Sequence, residues 1–92
     1  MAEQRIRRHV VVSGRVQGVF FRDSTRRLAQ QHSVAGWVSN RGDGAVEAVF
    51  EGEEGAVERL VAFMRRGPRG AQVESVELTD EEPEGLAGFN VL

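Results

Sequence analysis

The chain has 92 residues, of which 40% are apolar and 28% are charged, and it contains no cysteine. This length supplies one compact core and is too short for two domains of ordinary size, so we predict a single domain over residues 1–92. Small secreted domains often rely on disulfides, so the absence of cysteine favours a reducing compartment, and we expect a cytoplasmic protein. The longest apolar run in the first 20 residues, 10–12, is too short for a signal peptide or a membrane span.

The net charge of -2 conceals an uneven distribution of charges. Residues 1–41 hold eight arginines and two acids, whereas the remaining residues hold four arginines and twelve acids. Every cationic side chain is an arginine, whose planar guanidinium suits bidentate binding of phosphate or carboxylate. A codon bias across the chain explains the missing lysines, but the asymmetry predicts that the first half meets an anion.

The first predicted strand covers residues 8–13, a run rich in β-branched residues that Gly14 is expected to end. A glycine-containing loop follows over residues 14–19. A helix over residues 20–32 is predicted next, because Phe21 and residues three and four positions apart after it share one thin apolar face.

A hairpin and a second helix are predicted in the middle of the chain. Residues 34–40 and 45–51 have the pattern of strands, and the turn sequence RGDG joins them at residues 41–44. Apolar residues at helical spacing then predict a helix over residues 53–66, with acids at its start and arginines at its end, as the helix dipole favours. A Gly-Pro pair directly after it ends that helix.

Two shorter strands, over residues 72–79 and 88–91, complete a βαββαβ layout. Two helices on one face of an antiparallel sheet are the economical packing for this order of elements. The predicted fold class is therefore α+β.

The segment over residues 14–22 links a strand to a helix start, where main-chain N–H groups lack intrahelical partners and attract phosphate. Gly18 allows a positive φ, so that several amides can converge in an anion nest. Arg22 lies in the first helical turn, where a cation is unfavourable by about 0.3–1 kcal/mol unless an anion is nearby. On spacing alone, an ordinary turn with a solvated arginine is an equally good interpretation. A Walker A lysine and a third glycine are both missing, which disfavours nucleotide binding.

Two motifs resemble those of a known family. GRVQGVFFR over residues 14–22 is similar to the acylphosphatase signature, and GWVSN over residues 36–40 with DGAVE over residues 43–47 is similar to its second motif. The similarity continues to residues 88–91 and so covers nearly the whole chain.

The resemblance implies a ferredoxin-like βαββαβ sandwich and an acylphosphatase that acts on small acyl phosphates, releases inorganic phosphate, and needs no metal or cofactor. It implies that Arg22 binds the phosphoryl group and that Asn40 holds the attacking water. It also implies a monomer. The phosphate-binding loop would comprise Arg15, Val16, Gln17, Gly18, Val19 and Phe20.

Three positions depart from the family pattern. Ser24 occupies a position that is often aromatic, and His32 and Ser33 stand where a leucine and a helix-ending glycine are common. We expect these differences to affect packing and stability, not chemistry.

The proposed residues suit the chemistry of an acyl phosphate, because its carboxylate leaving group departs with little proton donation. Positioning and electrostatics supply most of phosphoryl-transfer catalysis. The carboxamide of Asn40 can accept and donate hydrogen bonds, and so can orient a water without becoming a base.

Other candidate residues have simpler interpretations. His9 and His32 lack neighbours that would complete a triad or a metal site. The acidic runs at residues 51–54 and 80–84 lack the spacing of a calcium loop and are interpreted as solvated faces. Four aromatic residues fit core positions better than a base-stacking platform: Trp37, Phe50, Phe63 and Phe89.

Two other functions use a similar layout. RNA-recognition modules stack bases on aromatic residues of their central strands, whereas acids alternate outward on the third predicted strand here, so we expect no nucleic-acid partner. A noncatalytic sensor of acyl phosphate or carbamoyl phosphate would have a similar site, and only turnover separates it from an enzyme. No membrane partner is expected.

Overall fold

Five strands and two helices make up residues 4–92, the part of the chain that a computed structural model describes. In chain order the elements are β1 (Arg5–Arg15), α1 (Phe21–Gln31), β2 (Ala35–Asn40), β3 (Val46–Glu53), α2 (Glu54–Arg66), β4 (Gln72–Glu81) and β5 (Phe89–Val91). All five strands form one sheet in the order β4-β1-β3-β2-β5. The predicted α+β, ferredoxin-like class is confirmed, and both helices lie within one residue of their predicted bounds.

The sheet is mixed, so the prediction of a purely antiparallel sheet is wrong for one strand. The first four strands pair antiparallel with their neighbours, but β5 pairs parallel with β2. After β4, at one edge, the chain crosses to the opposite edge and there runs in the same direction as β2. The crossing brings the end of the chain beside β2 and α1.

Gly14 does not end the first strand as predicted. β1 continues to Arg15 after an irregularity of register between Ser13 and Gly14. Gly14 has φ 126°, and a Cβ atom there would lie 2.3 Å from the carbonyl oxygen of Gln72. Only glycine allows this close approach of β1 to β4.

Both helices contribute to a single apolar core with one face of the sheet. Alternate residues of the central strands, such as Val10 and Phe50, are fully buried against Phe21 of α1 and Leu60 of α2. Three of the four aromatic residues predicted for the core are there: Phe50, Phe63 and Phe89.

Trp37 is the exception among the predicted core aromatics. It is only half-buried, because it alternates on β2 with the fully buried Val38 and so points to the sheet face opposite the core. The aromatic ring therefore packs on the outer face of the sheet.

The end of α1 has the geometry of a Schellman motif with serine in the glycine position. Ser33 has φ 57°, in the left-handed region, and its N–H donates to the carbonyl of Gln30. The N–H of Val34 donates to the carbonyl of Ala29 at 2.8 Å. The chain therefore tolerates a strained serine where glycine is the preferred residue.

Glu51 was predicted on a solvated face, and this prediction is wrong. Its side chain is fully buried, and its carboxylate lies 2.6 Å from the Arg7 guanidinium. Three main-chain N–H groups, those of Glu84, Gly85 and Leu86, also donate to the carboxylate. The segment between β4 and β5 therefore covers Glu51, and this carboxylate anchors the segment to the sheet.

Burial by itself would raise the pKa of Glu51. The hydrogen bonds from the Glu84 amide, from Arg7 and from the next two amides outweigh that effect and hold the pKa of this carboxyl below its ordinary value. Burial of Arg7 lowers its pKa, but the hydrogen bonds to Glu81, at 2.8 Å, and to Glu51 outweigh that effect and raise the pKa of Arg7 above its ordinary value. Both groups are therefore charged at neutral pH.

Candidate active site

A cavity of about 480 Å³ lies where the loop after β1, the start of α1, the end of β2 and β5 meet. Arg22 and Asn40 both line it, together with Gly18 and Phe20 of the loop. The structure thus brings the two residues predicted for catalysis to one concavity, although 18 positions separate them in the sequence.

The loop has the backbone geometry of an anion nest. Gly18 has φ 76° and Phe20 has φ 60°, so two positions of the loop are left-handed. The positive φ predicted for Gly18 is confirmed. A phenylalanine in this conformation is strained, and such strain is concentrated at functional sites.

The amides of the loop are available to a ligand. Within residues 4–92, the main-chain N–H groups of residues 17–20 donate no hydrogen bond to another protein group. Phe20 is the N-cap of α1 and provides no side-chain cap. The first helical N–H groups after it, beginning with Phe21 and Arg22, have no intrahelical acceptor either. This cluster of donors, at the positive end of the α1 dipole, is suited to an anion.

Arg22 extends from the first turn of α1 towards the end of the chain beside β5. Its Nη1 donates to the carbonyl oxygen of Leu92 at 3.1 Å. The N–H of Leu92 in turn donates to the carbonyl of Val38 on β2. The guanidinium is thus held at the edge of the cavity with further donors left for a ligand.

Asn40 is the last residue of β2, and its Oδ1 atom is buried. Within the described residues this oxygen has no hydrogen-bond donor. A buried acceptor without a partner costs about 1–3 kcal/mol. Asn40 is one of the residues that line the cavity, so the carboxamide holds an unsatisfied acceptor beside it.

Gln17 was predicted to bind phosphate, but its side chain has another use. Its Nε2 donates to the carbonyl of Arg41 at 2.8 Å and to that of Ala45 at 2.9 Å. Both carbonyls belong to the hairpin turn that begins directly after Asn40. Only the main chain of Gln17 remains for phosphate, and the side chain ties the loop to the hairpin. Its acceptors are main-chain carbonyls, which leave no pattern in the sequence.

The other predicted loop residues differ in their positions. Arg15 is exposed at the end of β1, opposite Gln72, and does not line the cavity. The side chain of Val16 is fully buried in the core, and that of Val19 packs against the core. Neither valine can offer more than its main chain to phosphate. Because Arg15 does not line the cavity, the role predicted for it has the least geometric support.

Four residues that line the cavity were not among the predicted site residues, and two of them, Asp23 and Arg26, are charged. Asp23 accepts a hydrogen bond from Arg26 at 2.7 Å and lies 2.9 Å from the Nε of Arg27. The hydrogen bond from Arg26 is the main reason why the pKa of Asp23 lies below its ordinary value. The sequence could have indicated Arg26, because a residue four positions after Arg22 on a helix lies on the same face.

The two histidines lie elsewhere. His9 pairs with Glu47 at 2.6 Å on the sheet face opposite the helices, and His32 is the C-cap of α1. Neither lines the cavity. In residues 4–92, no three His, Asp or Glu side chains are grouped so that they could hold a metal ion. No helix of this part of the chain is long and apolar enough to cross a membrane.

The fold is a ferredoxin-like α+β sandwich whose first loop and helix start direct amides and a guanidinium to one cavity, an arrangement suited to an anion. Comparison with known proteins identifies the family of this chain. The sequence model of the Acylphosphatase family matches residues 8–91. The chain belongs to the acylphosphatase family.

Individual relatives agree with this assignment. The acylphosphatase of Rubrobacter xylanophilus is 58% identical over 98% of this chain and 83% of that protein. The acylphosphatase of Gloeobacter violaceus is 55% identical over 95% of this chain and 94% of that protein. Among solved structures, an acylphosphatase from Coxiella burnetii superposes with a TM-score of 0.90 at 39% identity, covering 96% of this chain and 93% of that one.

Proposed function

We propose that this member of the acylphosphatase family hydrolyses the carboxyl-phosphate bond of acyl phosphates to a carboxylate and inorganic phosphate. The observation that carries the proposal is the meeting of Arg22, the free loop amides and the unsatisfied Oδ1 of Asn40 at one cavity. Family membership supports the reaction, and this geometry supports the roles of the residues.

The phosphoryl group binds first in this mechanism. Its oxygens accept hydrogen bonds from the loop amides and from the guanidinium of Arg22, at the positive end of the α1 dipole. These donors neutralise the charge on the equatorial oxygens, which is the main electrostatic requirement of phosphoryl transfer.

Asn40 positions the nucleophile. A water donates one hydrogen bond to Oδ1 of Asn40, and its oxygen attacks phosphorus in line with the bond to the carboxylate oxygen. The phosphorus–oxygen bond to the acyl group breaks, the carboxylate leaves with the electron pair, and the proton of the water passes to phosphate or to solvent. Because a carboxylate is a good leaving group, no general acid is needed.

Hydrolysis of benzoyl phosphate in the presence of a metal chelator tests the proposal. We expect turnover, inhibition by inorganic phosphate, and no effect of the chelator. An absence of turnover with intact phosphate binding would contradict the enzymatic function and favour a noncatalytic sensor. Loss of turnover on chelation alone would contradict the metal-independent mechanism.

A further inference from the structure

The cavity continues past Arg22 along the first two turns of α1, where Arg26 lines it. Residues four positions apart on a helix are neighbours on one face, with about 5–6 Å between their Cβ atoms. Two guanidiniums therefore border the same cavity. In the proposed mechanism Arg22 binds the phosphoryl group, whereas Arg26 has no role.

Arg26 is oriented but not fully engaged. Its Nη2 donates to Asp23 at 2.7 Å, and this is its one side-chain hydrogen bond among residues 4–92. Its side chain is 37% exposed, so most of its surface is covered. The other N–H groups of the guanidinium remain available to a ligand.

Asp23 does not neutralise this part of the cavity. The same side-chain carboxylate pairs with both Arg26 and Arg27, and Arg22 has no side-chain carboxylate partner among the described residues. The three guanidiniums of Arg22, Arg26 and Arg27 thus have one side-chain carboxylate, that of Asp23, among them. The resulting excess of positive charge favours an anionic ligand beyond the phosphoryl group.

The rest of this part of the cavity is apolar. The side chain of Phe20 is 81% exposed at the cavity, and Val91 lines it from β5. A short hydrocarbon or aromatic spacer could contact Phe20 while charged groups at its two ends met Arg22 and Arg26.

We propose that Arg26 is a specificity-determining residue that binds a second anionic group on the acyl part of the substrate. The favoured substrates are acyl phosphates in which a short apolar spacer separates the acyl phosphate from a carboxylate or another anion. This inference rests on the proposed function, because Arg22 and the loop must hold the phosphoryl end.

The test compares two substrates of similar shape, 3-carboxybenzoyl phosphate and 3-methylbenzoyl phosphate, with the parent protein and two variants. Arg26→Gln removes the proposed contact. Arg27→Gln is the matched control, because Arg27 pairs with the same Asp23 but is 75% exposed and does not line the cavity. The readout is the ratio of the two KM values within each protein, so that a general loss of activity cancels.

We expect the parent to have a KM about fivefold lower for the carboxylated substrate, the effect of one half-exposed ion pair. The ratio of the KM for the methylated substrate to the KM for the carboxylated substrate should fall to about one in Arg26→Gln and should stay at the parent's value in Arg27→Gln. In the parent it should decrease as the salt concentration rises. Equal KM values in the parent, a preference that survives in Arg26→Gln, or a preference lost equally in both variants would overturn the role of Arg26.

The two proposals fail in different ways. Hydrolysis of both substrates without a preference contradicts the role of Arg26 and leaves the proposed function intact. If neither substrate is hydrolysed by the parent, the proposed function fails, and the role of Arg26 as a substrate-specificity residue fails with it.

Discussion

The side-chain amide of Gln17 donates a hydrogen bond to the main-chain carbonyl of Arg41 at 2.8 Å. This contact joins the loop of the candidate phosphate site to the hairpin that begins after Asn40. The two halves of the proposed mechanism, binding of phosphate and positioning of water, are thus connected by one side chain.

Gln17→Ala should therefore reduce both activity and stability. The carbonyls of Arg41 and Ala45 each lose one donor but keep a main-chain donor, the N–H of Gly44 and that of Arg41 respectively. We therefore expect the free energy of unfolding to fall by only about 0.5–1.5 kcal/mol. Displacement of Asn40 relative to the loop should lower kcat by about tenfold or more. Gln31→Ala, an exposed position at the end of α1, is the control. Unchanged kcat in Gln17→Ala would show that the tether does not position the site.

Arg22→Lys should weaken phosphate binding although it keeps the positive charge. An ammonium is a point charge and cannot reproduce the planar fork of a guanidinium that also contacts Leu92. Competitive inhibition of benzoyl phosphate hydrolysis by inorganic phosphate measures the effect, and we expect the inhibition constant to rise about tenfold or more. Arg27→Lys, on the exposed side of α1, should leave that constant unchanged. Equal inhibition of Arg22→Lys and the parent would remove Arg22 from the site.

Ser33→Gly should stabilise the chain without changing turnover. The left-handed conformation at φ 57° costs a non-glycine residue about 1 kcal/mol or more, and glycine adopts it freely. Urea denaturation should show a higher midpoint at an unchanged slope. Ser33→Ala should give no such gain, because alanine has the same steric penalty. A midpoint for Ser33→Gly at or below that of the parent would show that the left-handed conformation of Ser33 does not destabilise the chain.

Glu51→Gln should destabilise the protein at neutral pH, because it leaves Arg7 without its buried carboxylate. Arg7 keeps its hydrogen bond to Glu81 at 2.8 Å, so we expect a loss of about 1–3 kcal/mol. The pKa of Glu51 in the folded chain lies below its ordinary value of 4.5, so its contribution is complete above that pH and is lost as the pH falls through the folded value. The parent and the variant should therefore converge in acid.

Urea denaturation at several pH values measures this convergence. Glu74→Gln, an exposed carboxyl on β4, is the control and should follow the parent at every pH. A constant difference between Glu51→Gln and the parent down to the acid limit of folding would contradict the linkage.

Local sequence patterns predicted the helices, the hairpin and the concavity of the loop at Gly18. These features depend on the spacing of apolar residues and on the conformational freedom of glycine, both of which act over a few residues. They could not predict the burial of Glu51, since alternation places it outward on β3 and the residues that cover it lie more than 30 positions away. The parallel direction of β5 likewise depends on where the chain crosses the sheet. The tether from Gln17 ends on main-chain carbonyls, which any residue could supply.

Turnover of benzoyl phosphate by Asn40→Ala, with inhibition by inorganic phosphate measured alongside, tests whether this carboxamide positions the nucleophile. We expect kcat to fall by about 10²–10³, the scale of removing one positioned polar group, while phosphate inhibits as in the parent. Ser39→Ala, the neighbouring residue on β2, should retain turnover. Near-parent kcat in Asn40→Ala would contradict the claim that this carboxamide holds the attacking water.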